Sequence, residues 1–227
     1  MEAIYVEAKR TPISFELATD MMKWKLKSIL GSDPSIEVLA LALAKTALET
    51  GRWTQIWNGN WGNVKCANTY KGMYCCIKLN EVLNGKIVWF APEGQLTSKN
   101  GVVTGTVCEL PPGHPQTRMR AFANNWDGVD CYVDFVAGGR YKTAWAKLLQ
   151  GDAVGYVHSL KMAGYFTAPE ESYRNGVVSL QKEFISRLNK VAPEKADIEW
   201  TRLQELVPRL QFDVDQLLNG DFQEEAA

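Results

Sequence analysis

Glu49 has the clearest potential for acid–base chemistry in this sequence, because it follows a segment, residues 39–48, that is almost purely apolar. A carboxyl group at the C-terminal end of a buried helix is in a medium that disfavours its charged form, and the negative end of the helix dipole acts in the same direction. A carboxylic acid that keeps its proton can donate it to a leaving oxygen. The alternative is a glutamate in an exposed last turn, or one paired with Arg52.

The segment around Glu49, TALETGRWTQIWNGNWGNVK (residues 46–65), combines tryptophan with glycine and asparagine. The whole chain is 11% aromatic, and many of its aromatic residues lie beside Gly and Asn rather than inside apolar runs. Aromatic faces next to amide groups suit sugar rings, which present C–H faces and hydroxyl rims. Packing in the core or at a protein interface is the alternative use of such residues.

The other carboxylates carry a weaker signal. Glu81 lies in KLNEVLNGKIVW, on the first arm of a predicted hairpin, and by itself it reads as a solvated strand carboxylate, as do Glu93 and Glu109. Three aspartates share one face of a predicted helix, where solvation or helix capping explains them: Asp127, Asp130 and Asp134.

Several classes of function are disfavoured. No GxSxG, P-loop, GxGxxG or HExxH motif occurs. The five cysteines lack paired CxxC units and the two histidines stand alone, so we expect free thiols, no metal site and no cofactor. The net charge of −1 gives no electrostatic footprint for nucleic acid.

The elements that must position Glu49 are helices. Spacing of apolar residues predicts a helix over residues 12–30 with Pro12 in its first turn, and a second over about 34–50 with Ser35 as N-cap and Gly51 as terminator. Further helices are predicted over 126–150, over 152–163 with Asp152 as N-cap, and over about 171–191. Two more, about 198–218 and divided by Pro208, have apolar faces that suit packing on the domain or docking on a partner.

The region from 70 to 122 has a different texture. Short β-branched and aromatic segments are separated by turn signals such as LNGK and SKNG, which predicts a small antiparallel sheet or set of hairpins. Helices before and after such an insert give an α+β layout. A cleft between a helical lobe and a β lobe would place Glu49 at its lip.

Four separate pieces resemble, in order, the motifs of the glucosaminidase family of peptidoglycan hydrolases, which includes autolysins and phage lysins. ALETGRW resembles the family's catalytic ESGWG segment at a helix end, and NGNWGNVK resembles the loop that follows it. NEVLNGKIVWF with the later RMRAF resembles the family's hairpin, and RYKTAW with GYFTAPEESY resembles its RY and GYATDPNY segments. The resemblance covers roughly residues 34–180.

This resemblance implies a lysozyme-like fold, mainly helical with a small antiparallel β-hairpin lobe, and cleavage of the β-1,4 glycan strand of peptidoglycan. It implies that Glu49 is the general acid, that Glu81 is the second carboxylate on a flexible lobe, and that Tyr165 lines the catalytic centre. Phe122 matches a hairpin aromatic that packs. The residues expected to contact substrate are Trp53, Trp61, Asn63, Trp89 and Tyr173.

The departures from the family pattern leave the chemistry open. Asn63 and Val64 stand where the family usually has Gly and Ile, Thr50 replaces a usual Ser, and TAPEES loses an Asp. The enzyme could be an endo-β-N-acetylglucosaminidase or an N-acetylmuramidase. The alternatives are a lytic transglycosylase, and a non-catalytic glycan-binding or structural module of a phage or injection particle.

The expected organisation is one glycan-hydrolase domain over residues 1–191, with a β lobe at about 68–122, followed by a C-terminal helical extension over 192–227. The N-terminal residues show no apolar signal-peptide core and no segment reaches the length of a membrane span. We therefore expect cytoplasmic synthesis and access to the wall by a holin-type lesion, by lysis or on a virion. The expected partner is the peptidoglycan glycan strand, together with a phage particle or a protein bound by the C-terminal helices.

Overall fold

The computed structural model describes residues 3–67, 69–92, 106–111 and 113–190. The chain divides into two compact units, Met1–Ser186 and Arg187–Ala227. All candidate residues belong to the first unit. The predicted helices at 198–218, the SKNG turn at 98–101, Glu93 and the predicted domain boundary at 191/192 lie outside the described residues and stay predictions.

Two capped helices form the centre of the first unit. α1 (Phe15–Leu30) begins after Ser14, whose hydroxyl accepts the Leu17 N–H at 3.2 Å, so the helix starts three residues later than Pro12 would place it. α2 (Ile36–Glu49) begins after Ser35, whose hydroxyl accepts the Val38 N–H at 3.3 Å, as predicted. Every residue of α2 from 38 to 47 is buried, which confirms the expectation from its apolar composition.

Four further helices pack around this pair. α3 (Asn125–Ala137), α4 (Lys142–Leu149) and α5 (Ala153–Met162) follow the β region, with a short 3₁₀ turn at Gly139–Tyr141. Asp152 caps α5 by accepting the Gly155 N–H at 2.8 Å, as its position predicts. The last described helix is α6 (Glu170–Leu188).

The described strands form two three-stranded sheets. In the first sheet, β2 (Met73–Cys76) lies between β1 (Ile4–Tyr5) and β6 (Arg118–Arg120). In the second sheet, β4 (Lys86–Pro92) lies between β3 (Leu79–Leu83) and β5 (Thr106–Leu110).

The predicted α+β class is confirmed, but the pairing of the strands is mixed. β2–β6 and β3–β4 are antiparallel, whereas β1–β2 and β4–β5 are parallel. Turn signals predict antiparallel neighbours only, because a parallel pair needs a longer connection. The LNGK turn is confirmed as a two-residue hairpin loop, in which Asn84 and Gly85 both have the positive φ (52° and 73°) that a type I′ turn requires.

Candidate active site

Glu49 is the last residue of α2, and the chain turns sharply directly after it. Gly51, Arg52 and Trp53 have φ values of 55°, 56° and 61°, and a left-handed conformation is unfavourable for the two residues with long side chains. Thr50 stabilises the turn, because its hydroxyl donates to the Thr46 carbonyl at 2.7 Å and accepts the Trp53 N–H at 3.1 Å. Tertiary packing therefore imposes this backbone at the end of the helix.

The carboxyl group of Glu49 has two partners on one oxygen. The Tyr173 hydroxyl donates to Oε1 at 2.5 Å. The Lys45 ammonium, one helical turn earlier, lies 3.2 Å from the same oxygen and forms an ion pair with it. The Glu49 side chain is 19% exposed, so these two partners hold a carboxyl group whose side chain is not fully buried.

Four tyrosines from three helices and one loop surround this carboxyl group. Burial raises the pKa of Tyr132, Tyr165 and Tyr173 well above the usual tyrosine range, and the Glu49 charge adds to the increase. Burial likewise raises the pKa of Tyr156. The four hydroxyl groups consequently stay protonated at any physiological pH, and serve as donors and as apolar walls rather than as bases.

The loop after Glu49 contacts both the helix end and the tyrosines. Asn63, which has a φ of 49°, donates from its side-chain amide to the Glu49 carbonyl at 2.5 Å. The Gly62 carbonyl accepts the Tyr165 hydroxyl at 3.1 Å. A Cβ on Gly62 would lie 2.4 Å from the Tyr132 ring, so only glycine allows the loop to approach this closely.

Glu81 lies on β3 and is held from two sides. Lys65 Nζ donates to Oε1 at 2.7 Å, and the Thr167 hydroxyl donates to Oε2 at 3.0 Å. The same hydroxyl accepts the backbone N–H of Val82 at 3.2 Å, which ties the hairpin to the segment between α5 and α6. Because Asn63 contacts Glu49 and Lys65 contacts Glu81, one short loop links both candidate carboxylate residues.

Burial corrects the prediction that two tryptophans contact a ligand. Trp53 is 2% exposed and packs against Phe15 and Phe184, with ring centroids 6.0 and 5.5 Å away. Trp61 is completely buried. Both rings therefore belong to the core.

The remaining predicted positions are accessible to different degrees. Trp89, on β4, is partly exposed, and Lys78 Nζ lies 5.3 Å from the centre of its ring. Tyr173 stacks on Phe166 with centroids 3.9 Å apart and planes 5° from parallel, which fixes the hydroxyl that reaches Glu49. Phe122 is half-buried, in keeping with a packing role.

Sequence reasoning missed several residues of this site. Lys45 is a lone cation in an otherwise apolar helix, four residues before Glu49, and that spacing was an available signal. The contributions of Tyr132, Tyr156, Lys65 and Thr167 depend on distant parts of the chain, and no local pattern identifies them.

Comparison with known proteins gives one informative likeness, to a solved structure. No protein-family model and no curated protein sequence matches the chain. The fold is similar to that of a peptidoglycan hydrolase mutant from Sphingomonas sp. A1, with a TM-score of 0.51 and 19% identity over 76% of this chain and 97% of that chain. This chain shares its fold with that hydrolase.

Two weaker matches are to the glycoside hydrolase domain of FlgJ from Salmonella typhimurium. The whole domain matches with a TM-score of 0.42 at 19% identity, over 86% of this chain and 100% of that chain. A C-terminally truncated form matches with a TM-score of 0.40 at 19% identity, over 74% and 98% of the two chains.

Two further structural findings bear on the kind of site. Within residues 3–190, apart from the three undescribed gaps, no group of three or more His, Cys, Asp and Glu side chains is arranged to hold a metal ion. None of the described helices is both long and apolar enough to cross a membrane.

Proposed function

We propose that this protein is a glycoside hydrolase that cleaves the glycan strand of bacterial peptidoglycan. The observation that carries the proposal is the Glu49 carboxyl group, which ends a buried helix, accepts the Tyr173 hydroxyl at 2.5 Å and remains 19% exposed. A fixed carboxyl group on a partly exposed side chain meets the geometric requirement for a general acid. The fold shared with a peptidoglycan hydrolase supports the choice of substrate.

In the proposed reaction, Glu49 donates its proton to the glycosidic oxygen as the bond to the sugar breaks. The electron pair of that bond stays on the oxygen, and positive charge develops on the remaining sugar ring. Tyr173 and the Asn63 contact hold Glu49 in place during this step. Tyr165, anchored to the Gly62 carbonyl, forms the wall beside the reacting carboxyl group.

Glu81 is the proposed second carboxylate. In this conformation it is paired with Lys65 and Thr167, so it must exchange these partners before it can activate a water molecule. Without that exchange it stabilises the developing charge at a distance, and the substrate's own N-acetyl group assists. A transglycosylase, which uses one acid and no water, is the second candidate, because the same pairing occupies Glu81.

The test is mass spectrometry of the products from purified peptidoglycan of several wall types. Products with new reducing ends at N-acetylglucosamine or N-acetylmuramic acid identify the bond that a hydrolase cuts, whereas anhydro-sugar ends indicate a transglycosylase. Glu49→Gln should abolish either kind of product. Glu171→Gln, at an exposed glutamate of α6, should leave the products unchanged. Binding to the wall without any new chain ends would contradict the proposed enzymatic activity and would indicate a glycan-binding module.

We propose further that the protein reaches the wall as a phage endolysin or a virion-associated lysin. The support is the resemblance of the four motif segments to the peptidoglycan-hydrolase family that includes phage lysins. Lysis of cells that express the chain with a membrane-lesion protein, but not of cells that express it alone, is the expected result.

A further inference from the structure

Lys45 is a completely buried lysine whose ammonium group faces the candidate acid. Lys45 lies on α2 one turn before Glu49. Among the described residues, Glu49 is the acidic residue within ion-pair distance of Lys45. The two groups are 3.2 Å apart. Burial of an ammonium group is costly unless a specific interaction offsets it, so its presence in an apolar helix requires an explanation.

Two aromatic rings lie close to the ammonium group. Lys45 Nζ lies 4.0 Å from the centre of the Tyr165 ring and 5.5 Å from that of Tyr132. Cation–π attraction to these rings partly offsets the loss of water. The ammonium group therefore has a defined position between two tyrosines and one carboxyl group.

Among the residues that the structure describes, the other buried lysine shows what a structural ion pair looks like here. Lys25 on α1 contacts two carboxylates of α3, Asp130 at 2.5 Å and Asp134 at 2.7 Å, and neither aspartate is buried. Burial alone would lower the pKa of Lys25, but the two aspartates outweigh it and the pKa is raised. Lys45 differs, because burial outweighs its one carboxyl partner and lowers its pKa.

Four elements place a tyrosine near this pair, and each of these hydroxyl groups stays neutral. These groups are Tyr132 of α3, Tyr156 of α5, Tyr165 of the following segment and Tyr173 of α6, and burial raises the pKa of each. Among these residues, Lys45 and Glu49 are thus the pair with opposite charges at ion-pair distance.

We propose that Lys45 is a positioning residue that holds the Glu49 carboxyl group in place and stabilises the carboxylate left by proton donation. This inference rests on the proposed role of Glu49 as general acid. An ammonium group at 3.2 Å stabilises the carboxylate that remains after proton donation, which strengthens the acid. Lys45 and Tyr173 both engage Oε1, and among the described residues no hydrogen bond or ion pair reaches Oε2, so Oε2 is the oxygen that delivers the proton.

The first experiment compares the pH profiles of wall hydrolysis by wild type, Lys45→Met and Lys25→Met. Methionine keeps the length of the side chain and removes its charge. In Lys45→Met the alkaline limb of the profile should move to higher pH by about one pH unit or more, because the acid loses a neighbouring cation. Lys25→Met removes a buried lysine that does not face Glu49, and its profile should match the wild type.

An unchanged alkaline limb in folded Lys45→Met would overturn the inference.

A second experiment needs neither activity nor that variant: the Lys45 Nζ titration is followed by ¹⁵N NMR in wild type and in Glu49→Gln. Loss of the carboxylate should shift the Lys45 titration to lower pH, since the Glu49 charge raises its pKa. If the Lys45 titration does not shift, the two groups are uncoupled and the inference is refuted. If the Lys45 titration shifts but the wild-type protein yields no wall products, only the proposed function is refuted.

Discussion

The two candidate carboxylates differ in what holds them. Glu49 ends a helix whose residues from 38 to 47 are all buried, and its contacts come from helix α6 and from the loop that follows. Glu81 lies on β3, an edge strand, and its partners are the long side chain of Lys65 and the exposed Thr167. The Lys65–Glu81 pair is partly exposed, and pairs of that kind contribute at most about 1 kcal/mol.

This difference separates a rigid part of the site from one that can move at low cost. Displacing Glu49 requires repacking of the core, which proteins resist because their interiors are close-packed. Displacing Glu81 requires the loss of one surface ion pair and two hydrogen bonds that water can replace. We infer that Glu49, the proposed acid, is preorganised and that Glu81, the proposed second carboxylate, is placed by movement of its hairpin.

The largest expected effect comes from exchanging each carboxylate for its amide. Glu49→Gln should lower the rate of bond cleavage by about 10²–10⁴-fold, the usual contribution of a general acid. Glu81→Gln should lower it by roughly tenfold, because a group with exchangeable partners contributes less through fixed geometry. The measurement is the release of reducing ends from purified walls at saturating enzyme. Equal losses in the two variants would contradict the proposed asymmetry.

The next effect tests the hydrogen bond that fixes Glu49. Tyr173→Phe keeps the ring stacked on Phe166 and removes the donor at 2.5 Å, and hydrogen bonds to charged groups contribute about 1.5–3 kcal/mol. We expect a decrease in kcat of about tenfold to a hundredfold with little change in KM. Tyr5→Phe, at an exposed tyrosine of β1, is the matched control. A Tyr173→Phe enzyme with wild-type kcat would remove this hydrogen bond from the mechanism.

A smaller effect tests the attachment of the hairpin. Thr167→Val keeps the shape of the side chain but loses both its bond to Glu81 and its acceptor for the Val82 N–H. Hydrogen exchange at Val82 should accelerate by about twofold to tenfold, the equivalent of one ordinary hydrogen bond. Amides of α2 should exchange at the wild-type rate, as should Val82 in Thr54→Val, whose hydroxyl bonds to Gly51 locally. Faster exchange in α2 would show that the two parts of the site are not independent.

The smallest effect concerns the helical part and depends on pH. Asp152 caps α5, and its bond to the Gly155 N–H lowers the pKa of its carboxyl group. Its contribution to stability is therefore present above the usual aspartate pKa of about 4 and is lost as pH falls through the lower folded-state value. Asp152→Ala should lower Tm by about 2–4 °C at pH 7, the effect of losing a cap worth about 1 kcal/mol.

That difference in Tm should shrink at pH 3, as measured by thermal unfolding at both pH values. Ser14→Ala removes the uncharged cap of α1 and should give a difference in Tm that does not change with pH. A deficit of Asp152→Ala that is as large at pH 3 as at pH 7 would mean that the charge of this cap does not stabilise α5.

Local sequence was sufficient wherever a few neighbouring residues determine the conformation. The caps at Ser35 and Asp152 are confirmed because one side chain satisfies one nearby N–H group. The Asn84–Gly85 turn is confirmed because these residue types tolerate positive φ. The same reasoning fails for the parallel strand pairs, since a pairing between distant segments leaves no mark on either one alone.

The sequence by itself determined that Glu49 ends a buried apolar helix, because the composition of residues 39–48 allows that helix no exposed face. Only the tertiary structure decided what surrounds that carboxyl group. Sequence reasoning placed Trp53 and Trp61 against a ligand, but the tertiary structure buries both in the core. It also brings the Tyr173 hydroxyl, 124 residues away along the chain, to Oε1 of Glu49. The physical reason is that close packing joins side chains from distant segments, and hydrogen-bond and charge energies depend on those distances rather than on separation along the chain.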